Sequence, residues 1–282
     1  MDDIASRRAY WTAQMDAADE FMRRVLRYPV AECGEPVVSL RDAASADGVE
    51  VAFADQPHAN GRPRLFYLRA GLIPGFLAAV REMNRRGWVL RVEDAYRTPE
   101  MQAALGRSDP VFRAVLRMVQ WECGRERPPP DLLFRRLGAL VANVPKVGTH
   151  LSGSALDISV VSRATGAEVD RGAPYLTLSE CTPMDSPFIL PEAREARRAI
   201  TEIMRRHGFV TYPWEFWHYN SGDAYAGILH ALPGPARYGA VELEPDGGRV
   251  TPVVHPLAPL TPIEVVETRM ADLLNGKHPR RV

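Results

Sequence analysis

Gly148-Thr149-His150-Leu151-Ser152-Gly153-Ser154-Ala155-Leu156-Asp157 is the stretch on which the reading of this chain turns. From Ala155 to Val161 the residues are apolar and β-prone, and Gly153 marks a turn just before them. His150 and Asp157 stand seven residues apart, so on one straight strand they would face opposite sides. A turn at Gly153 removes the conflict and brings imidazole and carboxylate to one point. A second stretch, Trp214-Glu215-Phe216-Trp217-His218-Tyr219, carries another carboxylate and imidazole with the same parity problem. There Pro213 and a bend near Glu215 are expected to resolve it. Two imidazoles and two carboxylates are what a catalytic zinc site requires: three N and O ligands, with the fourth position left to water. Spacing alone keeps the bland readings open, His150 as a packing histidine and Glu215 as a strand-edge charge or salt-bridge partner.

The rest of the chain narrows the class. With 282 residues, 46% hydrophobic and 25% charged, it has the composition of an ordinary globular protein large enough to need no disulfide framework. Lys+Arg and Asp+Glu are both 35, so no basic footprint for nucleic acid exists. No apolar run approaches the roughly 18 residues of a membrane span. The residues Met1 to Arg8 have no apolar core behind them, and the three cysteines, Cys33, Cys123 and Cys181, lie far apart. A reduced, cytoplasmic protein is the expectation.

Helical periodicity places a first helix over residues 2–27, with Ile4, Trp11, Met15, Ala18, Met22 and Val25 on one face. A turn-rich stretch follows, and Pro74 opens a helix that Gly87 ends. Trp88 to Glu93 alternates as a strand does. Thr98-Pro99-Glu100 and Ser108-Asp109-Pro110 are helix starts, and Pro191 to His207 is the cleanest helix, acidic early, basic late and followed by Gly208. Phe209 to Tyr219 is aromatic and β-prone, and Thr261-Pro262-Ile263-Glu264 reads as a capping box opening a last helix. Helices and strands mix without βαβ alternation, which predicts an α+β fold with a small antiparallel sheet flanked by helices. His58, His230, His255 and His278 lack acidic or cysteine partners at useful spacing and read as surface or packing residues. Ser152 and Ser154 do not form a serine-hydrolase elbow, and no cysteine sits in a nucleophile context.

The pattern His150-x-x-Gly153-x-Ala155-x-Asp157 followed by Glu215-x-x-His218 resembles the zinc D-Ala-D-Ala peptidases. That family holds dipeptidases of the vancomycin-resistance type and related carboxypeptidases. Glu93-Asp94-Ala95-Tyr96-Arg97-Thr98-Pro99 is similar to its "D-G-Y-R-P" segment, and Trp217-His218-Tyr219 with Gly222-Asp223 and Tyr238-Gly239-Ala240 is similar to the ends of the dipeptidase branch. The resemblance implies a catalytic unit over residues 65–241, an N-terminal helix and irregular extension over 1–64, and a Pro-rich connection with a C-terminal helix over 242–282. It implies Zn2+ held by His150, Asp157 and His218, with Glu215 as general base and Arg97 stabilising the tetrahedral intermediate. Gly148, Thr149, Ser154, Asp94 and Tyr96 stand where substrate contacts would fall, with Asp94 read equally as an orienter of Arg97 or a turn residue.

The expected activity is hydrolysis of D-Ala-D-Ala or a similar small dipeptide, with no nucleic-acid or membrane partner. Two alternatives stay open: a D,D-carboxypeptidase or endopeptidase on peptidoglycan stem peptides, and a non-catalytic zinc-stabilised binding protein. The chain departs from the family at Gly148, where a serine is usual. Glycine there is expected to leave room for a bulkier residue. The two ends have no counterpart in the resemblance, and covering the site, homo-oligomer formation and partner binding are the roles open to them.

Overall fold

The computed structural model describes residues 3–244 and 248–276. Among them the elements run in the order α1 Ile4–Arg27, β1 Val37–Ser39, α2 Leu40–Asp47, β2 Val51–Phe53, β3 Tyr67–Arg69, α3 Ile73–Arg85 and β4 Trp88–Asp94. Then come α4 Pro99–Arg107, α5 Asp109–Cys123, α6 Pro130–Val141, β5 Ala155–Ser162, α7 Pro191–Arg206, β6 Val210–Thr211 and β7 His218–Asn220. The chain closes with α8 Ala224–Leu229, β8 Val241–Leu243, β9 Val250–Pro252 and α9 Ile263–Leu274. None of these helices is long and apolar enough to cross a membrane.

The central sheet has the order β2-β4-β5-β7-β6. Its pairings are antiparallel except β2 on β4, which runs parallel. That edge strand falls in a stretch whose turn residues hid it, because Val51–Phe53 is too short to show a period. Strand β4 does not alternate between core and solvent. Leu90, Val92 and Asp94 are buried, but so are Val89 and Glu93. Both faces of the sheet are covered, and α3 and α7 supply Phe76, Val80, Met83, Ile200, Ile203 and Met204 to one core with Leu90, Val92, Ile158 and Val160.

Helix α1 uses the predicted face from Trp11 to Val25, all of it buried. Ile4 is the exception, since it opens the helix and stays 64% exposed. The face packs on Ala139 of α6 and on Tyr212, Trp214 and Tyr225, with Phe21 ring centroids 5.4 Å from Trp214 and 5.1 Å from Tyr225. Each such fully buried side chain adds roughly 1.5 to 3 kcal/mol. The N-terminal helix therefore braces the aromatic segment that carries the second motif.

Helix starts follow local chemistry. Thr98 caps α4 by accepting from the Met101 N–H, and Asp223 caps α8 by accepting from the Ala226 N–H. The expected capping box at Thr261 does not form. Pro262 takes the N-cap position of α9, and the Thr261 hydroxyl accepts from Arg107 Nε at 3.1 Å instead. All three cysteines are free thiols.

Candidate metal centre

Strand register sets the site. Asp94 of β4 lies opposite Asp157 of β5, which lies opposite His218 of β7. The ladder between β4 and β5 slips between Val92 and Asp94, a bulge that turns Asp94 toward its partners. His150 arrives from outside the sheet, through a tight turn that Gly153 completes at φ +64°. Its backbone carbonyl accepts from the Arg97 N–H, and Arg97 lies three residues past the end of β4. The bend expected near Glu215 is also present. The Glu215 N–H donates to the Tyr212 carbonyl, and the His218 N–H donates to the Glu215 carbonyl.

His150, Asp157 and His218 are all buried, and one donor atom from each lies within 4.8 Å of the others. Asp157 Oδ1 stands 3.3 Å from His150 Nε2 and 3.0 Å from His218 Nδ1. Donors arranged tetrahedrally around zinc at ligand distances of 2.0–2.1 Å stand about 3.3 Å apart, so the spacing suits that ion. The outward nitrogens are tied down. His150 Nδ1 lies 2.5 Å from the Ala95 carbonyl, and His218 Nε2 lies 2.8 Å from Thr149 Oγ1. A proton on each outward nitrogen satisfies these contacts and leaves His150 Nε2 and His218 Nδ1 bare toward Asp157.

Burial would raise the Asp157 carboxyl, but the His150 and His218 imidazoles outweigh it and leave Asp157 well below the usual carboxylate range. Burial pushes His218 below the ordinary imidazole value despite Asp157. A carboxylate held ionised beside two imidazoles becomes a metal donor set when the ring nitrogens that face it give up their protons. The residues fit zinc.

Arg97 is held by three contacts: Nε to Asp94 Oδ2 at 2.8 Å, Nη1 to Gln102 Oε1 at 3.1 Å and Nη2 to Asp157 Oδ2 at 3.2 Å. A guanidinium carries five N–H donors, so two remain for another partner. Asp94 also pairs with Arg64 at 2.7 Å, and its Oδ1 accepts from the Ala95 N–H. Asp94 therefore orients Arg97 as well as shaping the turn. Glu215 lines the same cleft. Burial first, then the Asp157 charge, pushes its carboxyl well above the usual range, against the pull of Arg97.

The remaining sequence candidates separate. Gly148 and Thr149 line the cleft, whereas Asp94, Tyr96 and Ser154 do not. Ser154 is fully buried and spends its hydroxyl on Asp223 Oδ2 at 2.6 Å, and Tyr96 spends its own on the Val241 carbonyl at 2.9 Å. Both were expected as substrate contacts from proximity to a motif, but Ser154, just before β5, and Tyr96, just past β4, are buried in the interior. Gly148 has φ −86° and ψ 92°, which any residue adopts. The room expected beside it is filled, since a Cβ there would stand 2.6 Å from Leu151 Cδ1.

Sequence reasoning missed Tyr175, whose hydroxyl donates to Asp157 Oδ2 at 2.9 Å, and also Gln102 and Arg64. No periodicity or motif marks them. His58 is buried rather than superficial, and neither ring nitrogen has a partner. His230 and His255 are exposed, and His278 lies outside the described residues.

Residues 138–233 match the peptidase family model Peptidase_M15, described as D-ala-D-ala dipeptidase. No curated protein matches the chain. Solved structures similar to it include the LdcB LD-carboxypeptidase, at 15% identity over 71% of this chain and 73% of that one, with a TM-score of 0.35. The vancomycin-resistance D,D-pentapeptidase VanY, in complex with Zn(II), matches at 18% identity over 72% of this chain and 88% of that one, TM-score 0.35. VanYB in complex with D-alanine-D-alanine matches at 17% identity over 72% and 91%, again at 0.35.

Proposed function

We propose that the chain, whose residues 138–233 match the D-ala-D-ala dipeptidase family model, is a zinc peptidase that hydrolyses D-Ala-D-Ala or a similar small dipeptide. The observation that carries the reading is the convergence of His150, Asp157 and His218 in a cleft also lined by Glu215 and Arg97. A purely structural metal site has no use for the last two. Zinc, when held by the three ligands, would supply Lewis acidity toward the scissile carbonyl and the attacking water.

The chain's own residues do the rest. Glu215 takes a proton from the attacking water and delivers it to the leaving amine, a task suited to a carboxylate made more basic than an exposed one. Arg97 turns its two free N–H donors to the oxyanion that develops as the carbonyl carbon becomes tetrahedral. Asp94 and Gln102 fix the guanidinium plane, so little reorganisation accompanies the reaction. Thr149 holds the His218 ring and Ala95 the His150 ring, which keeps both bare nitrogens aimed inward. Tyr175 and Arg97 occupy the second oxygen of Asp157 and leave Oδ1 to face the imidazoles.

The test is elemental analysis of the purified protein, then hydrolysis of D,D-, L,D- and L,L-dipeptides beside a stem pentapeptide. Stoichiometric zinc with turnover of a D,D-dipeptide is the expected result. Turnover of the pentapeptide alone would replace the dipeptide reading with the carboxypeptidase one, and zinc without any turnover would leave a binding protein.

A further inference from the structure

We propose that the cleft selects a substrate with a bulky apolar side chain beside the scissile bond, gripped between Leu176 and a wall built by α4, α5 and α6. The inference rests on the peptidase reading above and narrows its substrate class.

The cleft encloses about 210 Å3. That volume must take the metal site and the peptide backbone as well as a side chain, so the character of the lining, more than the volume, argues for a larger apolar group. Its polar lining is Arg97, Gln102, Thr149, His150, Asp157, Glu215 and His218, together with the Trp217 indole, which donates to Glu215, and the hydroxyls of Tyr212 and Tyr225. Those hydroxyls are already spent on the Ala139 and Val147 carbonyls. The rest is apolar, with Leu105, Pro110, Val111, Leu140, Leu176 and Leu178 its largest contributors away from the aromatic rings. Leu105, Val111, Leu140 and Leu178 are only half-buried, so they retain surface for a ligand to cover. A wall without charge or free hydrogen-bonding groups discriminates by burying apolar area.

Leu176 gives a second, independent observation. It is the third residue of the turn Pro174–Thr177, closed by the Thr177 N–H on the Pro174 carbonyl at 3.2 Å. Its φ is +64°, a conformation for which glycine is the usual residue at that turn position. A leucine keeps a 49% exposed apolar side chain on the cleft at the expense of backbone strain. The turn is anchored from the preceding residue, where the Tyr175 hydroxyl bonds Asp157 and its ring meets Trp217 edge-on at 5.6 Å. Leu176 is thereby fixed relative to the metal ligands, as a residue that grips a substrate side chain must be.

The experiment compares kcat/KM of the zinc-loaded protein for D-Leu-D-Ala, D-Ala-D-Leu and D-Ala-D-Ala, and for the same peptides in the L,L series. A leucine-containing dipeptide should exceed its alanine counterpart about 10-fold or more. Leu176→Gly should cut that ratio several-fold without lowering Tm, because glycine relieves the turn. Val111→Asn should cut it from the opposite wall. Preference for the alanine dipeptide, or a ratio unmoved by both variants, overturns the inference and leaves the hydrolytic reading intact. If no peptide is cleaved, the peptidase reading fails instead. Calorimetry with zinc-loaded Glu215→Gln protein then judges the apolar wall alone: tighter binding of the leucine peptides supports it, and equal or weaker binding overturns it.

Discussion

Replacing Gly148 with serine tests the site where the chain leaves its family pattern. The backbone there imposes no penalty, since φ is −86°. The obstacle is Leu151, fully buried, whose Cδ1 would lie 2.6 Å from the new Cβ, with the Pro145 carbonyl at 3.3 Å. The leucine must leave its rotamer in a packed interior, and overpacking of this kind costs about 1 to 3 kcal/mol. Loss of glycine's freedom in the unfolded chain returns roughly 0.4 to 1 kcal/mol. A net loss of about 1 to 2 kcal/mol follows, worth a few degrees in Tm for a chain of this size. The new hydroxyl, if it reaches the substrate, adds about 0.5 to 1.5 kcal/mol of binding, a several-fold gain in kcat/KM for D-Ala-D-Ala relative to a bulkier dipeptide. Thermal melts and the ratio of the two kcat/KM values separate the effects. Adding Leu151→Val to Gly148→Ser should recover stability beyond the sum of the single changes. A serine variant as stable as the wild type would refute the steric argument, and an unchanged ratio would show that position 148 does not set specificity.

Glu215→Gln should retain stoichiometric zinc by elemental analysis while turnover falls about 100-fold or more, and full activity in that variant would remove Glu215 from the mechanism. Thr149→Val deletes the hydroxyl that holds His218 Nε2 at 2.8 Å, so zinc affinity measured by chelator competition should drop about 10- to 100-fold; no change would mean that Thr149 does not orient the ring. His58 has its pKa lowered to about 4, by burial first and then by the Arg97 charge. A depressed imidazole makes the folded state bind fewer protons than the unfolded one between about pH 6.5 and 4. Stability from this residue is therefore full above pH 6.5 and lost as pH falls through that window. Denaturant melts across that range should show a shallower pH slope in His58→Phe, and parallel slopes would exclude His58 as a source.

The candidate ligands were legible because their chemistry is concentrated in two short stretches, each with a residue that bends the chain. Gly153 supplies a left-handed turn and Pro213 precedes the bend at Glu215, so parity arguments could be made residue by residue. Helices α3, α4 and α7 were legible from prolines, caps and charge order. Tyr175 and Leu176 were not, because the Tyr175–Asp157 contact spans 18 residues and depends on how the 163–190 loop settles against the sheet, and Gln102, although only five residues from Arg97, carries no motif. Ser154 and Tyr96 show the opposite error. Nearness in sequence to a motif made them candidates, while the bonds to Asp223 and Val241, made from just outside β5 and β4, hold them inward.

The row Asp94, Asp157, His218 across three neighbouring strands ties the site to strand pairing itself. A slip of one residue on β5 would send the Asp157 side chain to the opposite face of the sheet and dissolve the donor set. The pairing that aligns Asp157 with His218 joins residues 61 positions apart, and pairings so distant in sequence form late, after the loop between them has closed. Intermediates on the folding path thus carry the ligands without the site. On the proposed reading zinc binds tightly only once β5 and β7 are in register, so a single ion would distinguish the correctly zipped sheet from a misregistered one.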